Sequence, residues 1–103
     1  MLHQKGGLTD PTFSLLTSPQ SKADKTVCWG MGFGMIAPEP GLLWHWGDNK
    51  GYKNMMAADI VSGCAIVLLS NSDGGLEVEM NILRRLTDCT HWNAVESFIQ
   101  TAE

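Results

Sequence analysis

Basic charge is scarce in this sequence: seven Lys and Arg stand against eleven Asp and Glu, a formal net charge of −4. Phosphate backbones need a clustered basic surface, so nucleic acid is not an expected partner. The single basic pair, Arg84-Arg85, reads as a solvated helix face. Cysteines number three, Cys28, Cys64 and Cys89, an odd set without CxxC spacing. Neither a disulfide framework nor a zinc site is signalled. Cys89-Thr90-His91, with His45 and Asp48 elsewhere, has the residue types of a metal site or a thiolate–imidazole pair, but adjacency in sequence does not supply geometry. No metal and no cofactor is therefore expected. Long apolar runs are missing too. The longest, Ala65 to Leu69, is far too short to span a bilayer, and Met1 to Gly7 lacks the apolar core of a signal peptide. As written, the chain is expected to be cytoplasmic and to have no membrane partner.

What is present suits a folded chain: 103 residues, 44% hydrophobic and 17% charged, well outside the composition of disordered segments. One domain, 1–103, is expected, burying about 60–65% of the surface of its unfolded form. Thr9-Asp10-Pro11 predicts a short helix, a capping oxygen followed by proline, which Pro19 ends. Residues 18–25 are polar and read as an exposed connection. Trp29, Met31, Phe33 and Met35 alternate with Gly30, Gly32 and Gly34, the period of one strand with a large apolar face and a bare face against which something packs closely. A nucleotide-binding glycine loop does not fit, because the spacing is GxGxG and Pro38 and Pro40 follow where a helix should open.

Residues 41–47 read as the next strand, 48–51 as a turn and 52–60 as its hairpin partner. The run Cys64 to Leu69 predicts a strand covered on both faces. Asn71-Ser72-Asp73-Gly74-Gly75 reads as a turn and helix cap; its oxygens do not have the spacing of a calcium loop. Leu76, Met80, Leu83 and Ile82, Leu86 follow helical spacing, and Trp92, Val95, Phe98 and Ile99 repeat it. The expected class is α+β: an antiparallel sheet of about four strands, a short N-terminal helix and two C-terminal helices on one side of the sheet.

The order of His45-Trp46-Gly47 on a strand, a turn with Gly51-Tyr52, two further strands, then Ser70-Asn71-Ser72-Asp73-Gly74 and a helix resembles the carboxy-terminal portion of the β-lactamase-related serine hydrolases. That superfamily includes class C β-lactamases, D-alanyl-D-alanine carboxypeptidases and related esterases. Gly6-Gly7-Leu8-Thr9, Leu16-Thr17-Ser18-Pro19-Gln20 and Trp29-Gly30-Met31-Gly32-Phe33-Gly34 resemble the preceding segment. The resemblance covers nearly the whole chain and implies a partial β-lactamase-like domain. It implies that His45, Trp46, Gly47 and Asp48 form the ancestral cleft wall. His45 would stand on that wall, Gly47 would let an acyl or β-lactam-type small molecule approach the backbone, and the Asp48 amide would be one oxyanion donor.

The chemistry of that superfamily requires a serine with a nearby base and preorganised oxyanion donors. No serine here is followed three residues later by lysine, so the Ser-x-x-Lys nucleophile motif is lacking. Tyr52-Lys53-Asn54 spells Tyr-x-Asn, but it follows a hairpin turn, whereas the family motif lies far upstream in a helical region. No catalytic residue is assigned, and catalysis by the chain alone is not expected. A binding or assembly module is. Amino-terminal strands of the family pair with the last apolar strand, and a helical domain covers the cleft face. The resemblance therefore implies an open edge at Cys64 to Leu69, closed by a homodimer or by the N-terminal half of a hydrolase. Two alternatives remain. The chain could belong to an active serine hydrolase whose other motifs lie on further or partner chain, with a periplasmic or secreted location if the enzyme is exported. It could instead be a small-ligand binder using its Trp-rich strand face.

Overall fold

The computed structural model describes residues 7–102; Met1 to Gly6, and with them the first residue of the Gly-Gly-Leu-Thr segment, lie outside the described residues. The elements run α1 (Asp10–Leu16), β1 (Ser21–Lys22), β2 (Val27–Trp29), β3 (Gly34–Ile36), β4 (Leu42–Asn49), β5 (Tyr52–Asp59), β6 (Cys64–Ser70), α2 (Gly75–Leu86) and α3 (Trp92–Ala102). The class is α+β, an antiparallel meander in the order β1-β2-β3-β4-β5-β6. Thr9 caps α1 as its sequence predicts, its side chain accepting from the Thr12 amide.

The sheet has six strands rather than about four, and both extra strands arise from turns that composition conceals. In the polar segment 18–25, the Asp24 carboxylate accepts from the amides of Thr26 and Val27 at 2.8 and 2.7 Å. That local turn folds Ser21–Lys22 back onto Cys28–Trp29, as aspartate side chains commonly do for their own backbone. The alternation Trp29 to Met35 likewise breaks into two strands. Gly32 takes φ +97, a conformation open to glycine, and Trp29 pairs with Gly34.

One face of the sheet carries α2 and α3. Between them lies the main core, in which Val27, Ile36, Trp44, Met55, Ala57, Met80, Leu83, Trp92, Val95 and Ile99 are buried. Each large apolar side chain buried there contributes about 1.5–3 kcal/mol. Gly34 is required by this packing, since a Cβ there would stand only 2.4–2.6 Å from atoms of the Trp44 indole. Close packing on the glycine side is thus real at this position, although the strand is shorter than its pattern suggests.

A smaller cluster of Cys28, Met35 and Leu43, with Phe33 and Ile60 against it, occupies the other face. Beyond it that face is open. Strand β6 lies at the sheet edge and, among the described residues, pairs with β5 alone. It is not covered on both faces: Ile66 and Leu68 pack towards the core, whereas Val67 and Leu69 are 66% and 75% exposed. The continuous apolar run gave no clue to this, because an edge strand facing solvent and a strand covered twice share that composition.

The Ser70–Gly75 connection also differs from expectation. Asp73 does not cap α2; its carboxylate accepts from the Gly51 amide at 2.6 Å, tying this loop to the β4–β5 turn. Gly74 is the N-cap and makes no side-chain cap bond. Arg84 is no free member of a basic pair: it bonds Asn81, Asn93 and Glu96 and so bridges α2 and α3.

Candidate functional site

The segment expected to form a cleft wall lies on β4, and the register decides what it presents. Leu43 and Trp44 pair with Met35 and Gly34 of β3, and pairing on that side stops there. His45 through Asn49 pair only with β5, from Met56 to Tyr52. The strand edge bearing His45, Trp46, Gly47 and Asp48 is consequently free of strand partners among the described residues.

Alternation separates the side chains. Trp44 and Trp46 point to the helical face, His45 and Gly47 to the open one. Trp44 is fully buried, and Trp29, Trp46 and the Phe98 ring of α3 gather around it with centroids 5.4–6.2 Å apart. The Trp-rich strand face is therefore occupied by α3. Met31, grouped with it by pattern, sits in the β2–β3 turn and is exposed.

His45 is exposed, and its ring stacks on Trp46 at 5.6 Å. Its Nδ1 lies 2.9 Å from the Trp46 carbonyl oxygen. A carbonyl only accepts, so Nδ1 is the donor of this bond. Gly47 is not demanded by the chain's own packing, because a Cβ there would meet Asn54 at ordinary distances of 3.5 and 3.7 Å. The Asp48 carboxylate pairs with Lys53 on the opposite strand. Tyr52-Lys53-Asn54 is part of the hairpin. Tyr52 is exposed at the start of β5, Lys53 is in that ion pair, and the Asn54 side chain accepts from the Ser70 amide.

A second cluster lies at the far end of the hairpins from the β4–β5 turn. Glu39, in the β3–β4 connection, meets Cys89 and His91 of the α2–α3 connection, with one ligand-type atom from each all within 4.8 Å of one another. His45 and Asp48 take no part in it. Glu39 could not be selected from sequence; its one signal is the Pro38-Glu39-Pro40 setting, where two prolines restrict the backbone around a carboxylate. Burial raises the Cys89 thiol above its ordinary value, the His91 amide donating to sulfur opposes this, and the Glu39 charge adds to it.

No protein-family model, no curated protein and no solved structure matches this chain.

Proposed function

We propose that this chain is a β-lactamase-like carboxy-terminal domain without catalysis of its own, acting as an assembly and binding module. The observation that carries this reading is the uneven cover of the sheet: α2 and α3 pack on one face, while among the described residues β6 has no outer strand partner and its Val67 and Leu69 stand exposed. Unpaired edges and contiguous apolar surface favour association, and a two-fold axis lets one such patch serve twice. A homodimer across β6 is the simplest assembly. The N-terminal half of a hydrolase would use the same surface.

An acyl or β-lactam-type small molecule is the proposed ligand of the other edge. The run of β4 past its last pair with β3 at Trp44 and a glycine at 47 that internal packing does not require both favour approach of a ligand backbone. The same edge favours a second reading, an active serine hydrolase whose nucleophile arrives on another chain segment.

Sedimentation of the pure chain at micromolar concentration tests the assembly. Association is expected, with Leu69→Lys shifting it to monomer; a stable, well-folded monomer of the unaltered chain would overturn the proposal. Incubation with a reporter β-lactam or ester should give neither turnover nor a mass increase on serine. Turnover by the chain alone would show the catalytic reading to be the right one.

A further inference from the structure

We propose that Glu39, Cys89 and His91 form a three-ligand site for a zinc-class divalent cation, independent of the assembly described above. Carboxylate, thiolate and imidazole are together the donor set of a borderline-soft ion such as Zn²⁺, and unlike that of the hard cations, which favour oxygen alone.

The spacing supports the same assignment. His91 Nδ1 lies 3.4 Å from Glu39 Oε1. Two ligands bound to zinc at ~2.0–2.1 Å and at the tetrahedral angle stand about 3.3–3.4 Å apart. For a hydrogen bond, 3.4 Å is long, and His91 Nδ1 is a buried atom that makes none. A cation between the two side chains would give that nitrogen its partner. The sulfur is within the same 4.8 Å cluster and already accepts from the His91 amide at 3.4 Å, the kind of outer contact that orients a metal-bound ligand.

Chain topology makes the site a staple. Glu39 belongs to the turn entering β4, and Cys89 and His91 to the link between α2 and α3, so one ion would join the sheet to its helical layer. Glu39 and Cys89 also line a groove of ≈380 Å³ with Leu42, Asp59 and Cys64. An ion held there would have water or a small anionic ligand in that groove within reach. On coordination the Cys89 thiol loses its proton to solvent and binds as thiolate.

Cobalt(II) titrated into the reduced full chain is the test. One equivalent should bind with thiolate-to-cobalt charge-transfer absorption. Cys89→Ser should abolish that absorption, and Cys64→Ser, altering the other groove cysteine, should leave it intact. Glu39→Gln and His91→Gln should each weaken binding by roughly tenfold or more. Where Cys89→Ser fails to fold, judged by circular dichroism, those two variants decide. The proposal is overturned by lack of charge-transfer absorption in the unaltered chain, by its persistence in Cys89→Ser or loss in Cys64→Ser, or by unchanged affinity in Glu39→Gln and His91→Gln.

Discussion

At residue scale, Glu79 is the side chain most at odds with its surroundings. It is 3% exposed on α2, neither carboxylate oxygen has a hydrogen-bond partner, and Leu68, Val78 and Ile82 lie around it. Desolvation raises its pKa above the ordinary 4.5. The folded chain thus holds a proton that the unfolded chain releases first, so stability falls as pH rises from the ordinary value through the raised one. Glu79→Met keeps the volume and removes the polar group. At neutral pH it should stabilise the fold by about 1–3 kcal/mol, the cost of an unsatisfied buried group, with the gain shrinking as pH falls from the raised value towards 4.5. Urea unfolding at both pH values checks this; equal stability of the two proteins at neutral pH would refute it. Periodicity alone does not single Glu79 out, because a carboxylate in an amphipathic helix is ordinarily assigned to solvent.

The elements themselves were largely legible. Thr9-Asp10-Pro11 marks α1, and apolar spacing marks α2 and α3, because a capping oxygen and a 3.6-residue period are local properties of the chain. What joins α2 to α3 was not. Arg84 contacts Asn93 at 2.9 Å and Glu96 at 2.5 Å, pairings that depend on how the two helices cross. Thr87 adds to the clip by accepting from the Trp92 indole at 2.8 Å. Arg84 and Glu96 are partly exposed, so solvent screening limits their pairing, and Arg84→Ala should cost roughly 1 kcal/mol. Chemical denaturation should show this loss, with a Glu96→Ala background reducing the effect of removing Arg84. Full additivity of the two changes would mean that the side chains are not coupled.

Across the whole molecule, support is uneven. β4 and β5 share eight register pairs and β5 and β6 seven, while β1 contributes two. Local opening follows such differences in pairing and burial. Native-state hydrogen exchange should therefore find the slowest amides in β5, which has a strand partner on each side, and fast exchange in β1. Uniform protection across the sheet would contradict this gradient. The same unevenness leaves the β6 edge and its Val67 and Leu69 exposed, which is the basis for expecting association.

Local sequence determined the α+β class, the β4–β5 hairpin, and the placement of His45 and Gly47 opposite Trp44 and Trp46, because strand alternation, turn chemistry and helical period act over a few residues. Tertiary structure alone decided the rest. It split the Trp29 to Met35 run into two strands, placed β6 at an edge, ended β3 pairing at Trp44 so that β4 runs on past β3, and brought Glu39 to Cys89 and His91. Each of these depends on which distant segments meet, and the composition of the individual segments does not encode that.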